Sequence, residues 1–372
     1  MSISRPLVSV IVPVRDGALT LPSVLGALLD SDLPRLSWEL IVVDDVSGDN
    51  SAEIAARFAD TVLRLSGSAR GPAYARNRGF ELSRGEIVVF VDADVCVQAD
   101  TLRRFVGRLA ADPTVAAIIG AYDGEPPGHS LVTHYRNLRH LHLRLQSAGE
   151  IDFFWPACGA IRRAAFVSAG MFDEWHYWRP QVEGAELGHR VRQANQRILL
   201  DPHIQAKHLK QFTAASVIAT DLRDLGVPWM RLLFQERTVA TARAPSLSTR
   251  EKLGTALLWA ALIAGVVSSV AAVPGLTELA LGAFIGTLVV SAPLFAFMRR
   301  ARGAAFVVAV LPLQMLHYVV TGSSVALAWL LHMIVGEPQR DATDDAFAEV
   351  GCRTWPPIPR RRLSDAWRSN SG

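Results

Sequence analysis

The chain has only three cysteines in 372 residues, Cys96, Cys158 and Cys352, and no CxxC pair. Such sparse, odd-numbered thiols argue against a disulfide framework or a cysteine zinc site, and they fit a reducing compartment. Charge of one sign is also lacking. The formal net charge of +3 is too small to point to nucleic acid as a partner. The GxGxxG fingerprint is absent from the first expected strand–helix turn, PVRDGALT, and there is no Walker A loop, so dinucleotide and P-loop phosphate binding lack support. The first apolar run, Leu7 to Val14, is too short for a signal peptide and runs into Arg15 and Asp16. It reads as a strand, and the N-terminal half is expected to stay in the cytoplasm. Charge is nearly missing from Leu253 to Met298, where Glu278 stands alone. A chain of this length calls for two or more units, and its composition divides it near residue 250.

What is present in the first half is alternation. LVSVIVP (Leu7–Pro13) is a β-branched run and hence a buried strand. Leu21, Val24, Leu25, Leu28 and Leu29 then recur at helical spacing, with Thr20 as candidate cap and Pro22 in the first turn. ELIVVDD (Glu39–Asp45), TVLRL (Thr61–Leu65) and EIVVFVDAD (Glu86–Asp94) read as further strands. SAEIAARFA and GPAYARNRGFELSRG read as the helices between them. Short connections between alternating elements favour an α/β fold with a parallel sheet, whose crossovers are right-handed. The loops after Pro13, Val43 and Val91 then share the carboxyl edge, where open α/β sheets bind ligands.

Asp16, Asp44, Asp45, Asp92 and Asp94 all fall on that edge. Five carboxylates there repel one another unless a cation or hydrogen-bond donors compensate. A hard divalent cation, Mg²⁺ or Mn²⁺, suits such a site, because these ions take one or two carboxylates and fill their other positions with water and phosphate oxygens. Asp92 and Asp94 are therefore candidates for a metal–diphosphate clamp; the bland alternative is a solvated strand end and helix cap.

Three segments, in order, resemble the family-2 glycosyltransferases, which have the GT-A fold: VSVIVPVRDG, ELIVVDDVSGDNS, and GPAYARNRG followed by a strand and DAD. The resemblance implies that Asp45, with Asp44 beside it, accepts hydrogen bonds from a nucleotide base, with Pro13, Val14 and Asp16 around the same pocket. It implies that Arg76 and Asn77 contact the nucleotide and its phosphates, that Asp92 approaches the ribose and metal region, and that Asp94 ligates the metal. FFWPACGAIRRAAFVSAGMFDE (Phe153–Glu174) resembles the acceptor-side segment, which would bring Trp155 and the backbone of residues 157–160 to the sugar and acceptor pocket; Trp155 reads equally well as core. DPHIQAKHLK resembles the strand that closes the site, making His208 a candidate ligand and Lys207 and Lys210 candidates to neutralise a leaving diphosphate.

One departure matters. Relatives carry an EDxELGxR pattern whose aspartate is the usual catalytic base; here the text reads Val182, Glu183, Gly184, Ala185, Glu186, Leu187, Gly188. An inverting transfer needs a base for the acceptor hydroxyl. Glu183 is one candidate and Glu186, nearly one helical turn on, is another. A third reading is an acceptor that needs little base, such as a polyprenyl phosphate, or an impaired enzyme.

The expected organisation is a catalytic domain over residues 1–212, amphipathic interfacial helices over 213–250 broken near Pro228, and a transmembrane region over 251–336. A disordered basic tail is expected over 337–372. Spans 253–273 and 276–298 form a tight hairpin around Pro274 and Gly275. Arg250, Lys252, Arg299, Arg300 and Arg302 flank it and place both its ends in the cytoplasm. Residues 304–335, interrupted by Pro312, His317 and Gly322, read either as one tilted span or as a re-entrant pair. The sequence thus points to a multi-pass inner-membrane glycosyltransferase with a cytoplasmic catalytic domain. It would use a nucleotide-sugar donor with Mg²⁺ or Mn²⁺ and a lipid or lipid-linked acceptor. A nucleotidyltransferase, or a glycosyltransferase-like membrane protein with lost or altered catalysis, are the alternatives.

Overall fold

The computed structural model describes residues 5–335 except 178, 237, 239–241 and 272; the expected basic tail lies outside the described residues. The chain opens with β1 (Val8–Val14), α1 (Leu21–Leu29), β2 (Trp38–Asp44), α2 (Ser51–Ala55), β3 (Thr61–Arg64), α3 (Pro72–Leu82) and β4 (Ile87–Val91). Next come β5 (Val95–Val97), α4 (Thr101–Ala111), β6 (Val115–Tyr122), α5 (Leu131–Gln146), β7 (Gly149–Ile151), β8 (Cys158–Arg162) and α6 (Arg163–Ser168). The domain ends with α7 (Glu183–Gln193) and β9 (Arg197–His208). Helices α8 (Ala214–Ala219), α9 (Val227–Gln235), α10 (Thr249–Ala271), α11 (Leu276–Arg302) and α12 (Ala304–Val335) follow.

The strands form one sheet in the order β3-β2-β1-β4-β8-β6-β9-β5, with β7 added to β9. The first four strands are parallel, as their alternation with helices requires. Register puts Pro13 beside Val43 and Val14 beside Asp44, so the loops after β1 and β2 leave at one level. Beyond β4 the sheet is mixed: β8 runs antiparallel between β4 and β6, and β9 is parallel to β6 but antiparallel to β5. The antiparallel β8 brings Cys158 opposite Val91, so the segment before β8 meets the DAD loop at the carboxyl edge.

Both faces of the sheet are covered, which is why its strands are apolar without alternation. Val8, Val10 and Val12 pack with Leu21, Leu25, Leu28, Phe105 and Leu109 of α1 and α4. Ile11, Ile41, Val43 and Phe90 pack on the other face with Ala73, Phe166 and Leu187 of α3, α6 and α7.

Two local expectations are corrected, and a third segment follows one of its two open readings. Thr20 does not cap α1; its hydroxyl donates to the Ala93 carbonyl at 2.7 Å, tying the first turn to the DAD loop. The 213–235 segment is not broken at Pro228. A π-helical stretch, Thr220–Gly226, joins α8 to α9, and Pro228 sits in the first turn of α9. The wider π turn removes the clash between the proline ring and the preceding carbonyls, and keeps the helix continuous. Residues 304–335 form one uninterrupted helix, α12, despite Pro312. Helices α10, α11 and α12 are each long and apolar enough to cross a membrane.

Candidate active site at the carboxyl edge

The five edge carboxylates are compensated one by one. Asp16, at φ 52°, accepts from the Gly48 amide at 2.7 Å, and its own amide donates to Ser47 Oγ at 3.0 Å. Asp44 is buried at the end of β2 and accepts from the Ser47 amide at 3.3 Å. Asp45 accepts from the amides of Arg70 and Gly71 at 2.9 and 2.7 Å, fixing the loop that enters α3, while its amide donates to the Val14 carbonyl at 2.8 Å. Pro13 and Val14 thus stand beside Val43 and Asp44, at the same level of the edge as Asp45.

Arg76 is the hub of the site. Its position on α3 buries the guanidinium to 3% exposure, where it donates to Asp92 at 2.7 Å and to Glu183 at 2.8 Å. A planar fork can hold two carboxylates from different elements at once. Burial pulls the Arg76 pKa down, but the charges of Asp92 and Glu183 outweigh that and raise it, so the cation is secure. Burial pushes the Asp92 carboxyl above the usual range, with Asp94 adding to the rise and Arg76 opposing it. Asn77 faces another way. Its amide donates to the Phe172 carbonyl at 2.9 Å and to Glu174 at 2.7 Å and accepts from the Phe172 amide at 3.1 Å, so every polar atom of the side chain clamps residues 172–174.

Asp94 meets β9 through its side chain. His208 Nε2 lies 3.5 Å from its carboxylate. Burial raises the Asp94 pKa, but the hydrogen bond and charge of His208 together with Lys210 more than offset this and hold it below the usual range. Among the described residues no three His, Cys, Asp or Glu side chains gather closely enough to hold a metal ion. Asp94 and His208 supply a carboxylate and an imidazole side by side, which suits a Mg²⁺ or Mn²⁺ ion completed by phosphate oxygens and water. Lys207 is turned to Asp123 at 3.0 Å.

An aromatic wall, unread in the sequence, stands behind His208. The His208 ring stacks on Tyr122 with centroids 4.2 Å apart and planes within 3°. Tyr122 meets Trp155 edge-on at 4.8 Å, and His140 packs against both. The Arg144 guanidinium lies 4.6 Å over the Trp155 ring, and burial pushes its pKa down to about 9. Burial beside that cation holds His140 well below the usual histidine range, so the ring is neutral. Tyr122 ends β6 and is followed by Asp123 and Gly124, a strand-end signature like that of β4, which is the one signal that marked it.

The two candidate bases part company. Glu183 is buried in the first turn of α7, facing Arg76, and also accepts from the Gln181 amide at 2.9 Å. Glu186 is turned away and held by Arg190 at 2.5 Å, whose guanidinium also donates to the carbonyls of Ala169 and Met171. Gly184 explains how Glu183 comes so close. A Cβ there would stand 2.5 Å from Pro156 Cδ and 2.6 Å from the Phe154 carbonyl oxygen. Gly188, one turn on, lies equally tight against the backbone of Phe153 and Phe154. The two glycines form a flat strip on which residues 153–156 rest, so the position of the usual aspartate has no room for any side chain. A cavity of about 350 Å³ on the other side of α7, lined by Ala185, His189, Trp229 and Glu236, includes none of the clustered carboxylates.

Residues 9–168 match the profile of glycosyl transferase family 2. This part of the chain is thus similar to the family 2 glycosyltransferase domain. The match covers Asp16, Asp44, Asp45, Arg76, Asp92, Asp94 and Trp155 but stops short of Glu183 and His208. The chain is 32% identical to the glycosyltransferase AglE of Haloferax volcanii over 114 residues, 30% of this chain and 38% of that one. It is 25% identical to the probable glycosyltransferase YdaM of Bacillus subtilis over 199 residues, 50% of this chain and 46% of that one. The similarity therefore spans less than half the length of these curated relatives. The mannosyltransferase PcManGT of Pyrobaculum calidifontis, solved with GDP-mannose and Mn²⁺, superposes with a TM-score of 0.56 at 22% identity, covering 90% of this chain and 88% of that one. That likeness shows the fold, and the family 2 domain has the GT-A arrangement.

Proposed function

We propose that the protein is an inverting, metal-dependent glycosyltransferase that takes a sugar from a nucleotide-sugar donor and passes it to an acceptor presented at a membrane surface. The observation that carries this reading is the Asp92–Arg76–Glu183 triad standing beside the Asp94–His208 pair. In this reading Asp45 and the loop around it border the nucleotide base. Asp94 and His208 hold Mg²⁺ or Mn²⁺ together with the donor diphosphate. When bound, the cation supplies positive charge against the leaving diphosphate. Arg76 fixes Asp92 and Glu183 at a constant separation, so the donor side and the acceptor side are set by one rigid group. Glu183 is the general base: Arg76 holds its carboxylate next to Asp92, whereas Arg190 holds that of Glu186 outside the cluster. The neutral His140 and the Trp155 ring form an apolar wall against which a sugar face packs.

Membrane presentation of the acceptor is supported by α5. One side of this helix carries His140 and Arg144 to the aromatic wall. The other side packs Tyr135 and Leu138 against Leu294 and Val310 of α11 and α12. The test is a transfer and donor-hydrolysis screen of purified protein in detergent over UDP-, GDP- and dTDP-sugars with Mn²⁺, with Asp94→Ala as control. Metal-dependent nucleotide binding lost in Asp94→Ala is expected; its absence for every donor overturns the reading. Glu183→Gln should lower turnover by about a hundredfold or more, and unchanged turnover would remove Glu183 as the base. The crowding at Gly184 favours one second reading, a domain that binds donor without catalysis, and donor binding with no turnover on any lipid extract would establish it.

A further inference from the structure

Helix α12 satisfies every simple criterion for a membrane span: it has 32 residues, high mean hydropathy and no Asp, Glu, Lys or Arg. Its packing is that of a different kind of helix. Just before its start, Arg302 pairs with Glu125 of the catalytic domain at 2.5 Å. Eight residues on, Val310 packs with Tyr135 and Leu138 of α5, and one turn further Gln314 accepts from the Tyr135 hydroxyl at 2.7 Å. Near its midpoint, His317 lies 2.6 Å from Arg139 and 3.4 Å from Glu251, with Asp221 at 4.0 Å. Arg139 itself pairs with Glu251, and Arg136 pairs with Asp221 at 2.7 Å. Toward its end, Val325 and Ala328 pack with Met230 and Leu233 of α9, and His332 meets Phe234 with ring centroids 6.0 Å apart. Two residues beyond Phe234, Glu236 pairs with His189 of the catalytic helix α7 at 2.8 Å. The first half of this helix, about 48 Å long, therefore lies against α5 of the catalytic domain, and its far end lies against α9, which Glu236 ties to α7.

That arrangement conflicts with a perpendicular span. A crossing α12 would carry the Arg136, Arg139, Asp221 and Glu251 charges toward the middle of the bilayer, where ionised groups are expensive. The hairpin α10–α11 behaves otherwise. Its exposed large side chains, from Leu253 through Ile263, Val270, Leu281 and Val289, are interrupted by one charge, Glu278, which stands beside the Pro274–Gly275 turn. The hairpin meets α12 through its base: Glu251 at His317, Trp259 at the Tyr318 carbonyl, and Ser291 at the Tyr318 hydroxyl. On α12 the protein-facing stripe holds the polar groups Gln314, His317, Ser324 and His332. The outward stripe exposes Val308, Leu327, Leu330 and Ile334. The helix is thus apolar outward along its whole length, and its few polar groups lie among Val310, Val320 and Ala328 on the side that meets the charged residues of α5 and the π-helical stretch.

We infer that only the α10–α11 hairpin crosses the membrane, and that α12 lies in the plane of the bilayer surface as a platform between the lipid and the catalytic domain. The chain beyond Val335 then leaves on the catalytic side. The inference does not depend on the proposed activity. It is tested with the full chain in sealed membrane vesicles of known orientation and a membrane-impermeant maleimide. Cys96 and Cys158 are replaced by alanine, leaving Cys352 as the only thiol. With all three cysteines replaced, Leu36→Cys marks the catalytic side and Glu278→Cys the hairpin tip. Cys352 is expected to label with the Leu36→Cys side and not with the Glu278→Cys side. Labelling with the hairpin tip, or from neither side, overturns the inference. The otherwise native chain with a C-terminal epitope guards against a misfolded variant: trypsin added to the catalytic side of sealed vesicles should remove the epitope, and full protection there would equally refute the in-plane placement.

Discussion

Gly184→Ala should destabilise the protein, although the same exchange in an unobstructed helix stabilises one. The intrinsic gain from replacing a glycine by alanine is about 1 kcal/mol in a helix interior and smaller in the first turn, where Gly184 sits. Against it stands a Cβ placed 2.5 Å from Pro156 Cδ and 2.6 Å from the Phe154 carbonyl oxygen. Neither neighbour is the free end of a flexible side chain, and the Phe154 amide is also bound to the Gly184 carbonyl at 3.1 Å. Relief must therefore move backbone, and such overpacking costs about 1–3 kcal/mol, occasionally more. The net expectation is a loss of about 1–2 kcal/mol, or roughly 2–8 °C in apparent Tm for a protein of this size. Gly107, exposed in α4 with no neighbour within 4 Å of an added Cβ, is the matched control. Gly107→Ala should raise Tm by roughly 1–4 °C through propensity alone. Thermal unfolding of the three proteins in one detergent at one scan rate decides the matter. If Gly184→Ala is as stable as the parent, the close approach of α7 to residues 153–156 is not the reason for glycine there. Gly184→Asp meets the same obstruction, so returning the usual aspartate should lower transfer activity rather than raise it.

Other outcomes follow from the same geometry. Arg76→Gln leaves Asp92 and Glu183 buried without their shared cation and should cost about 3–5 kcal/mol of stability; Arg76→Lys, which cannot fork between two carboxylates, should recover only part of it in the same unfolding assay. Asp94→Asn and His208→Ala should each weaken Mn²⁺-dependent nucleotide binding measured by calorimetry, and chelation with EDTA should abolish binding in the parent. His142, buried on α5 beside Phe297, has its pKa lowered by burial to about 4. Between pH 6.5 and that value the unfolded chain holds the extra proton. Its contribution to stability is therefore complete above pH 6.5 and falls as pH drops, by up to about 1.4 kcal/mol per unit. Replacing it in His142→Leu should flatten the Tm-versus-pH curve between pH 6.5 and 4 relative to the parent, and an unchanged slope would refute the assignment.

The sequence alone determined the local elements and their order. Unbroken β-branched runs specify strands covered on both faces, helical spacing specifies α1, and alternation with short connections makes β1 to β4 parallel. Parallel strands put Asp44, Asp45, Asp92 and Asp94 on one edge, and a stretch charged only at Glu278 around Pro274 and Gly275 writes two helices long and apolar enough to cross a membrane directly into composition. All of these follow from periodicity and short-range chain geometry. Tertiary structure decided the rest, because it depends on groups far apart in the chain. Arg76 joins Asp92 to a Glu183 more than a hundred residues away, and Asn77, adjacent in sequence, turns to residues 172–174 instead. Tyr122 reaches His208 because β9 pairs parallel with β6, and it reaches Trp155 because β8 pairs antiparallel on the other side of β6. Helix α12 has the composition of a span, but composition records only how apolar a helix is. Its orientation is set by the charged groups it packs against, and Arg139, Glu251 and Asp221 come from three separate segments that meet only when the chain is folded.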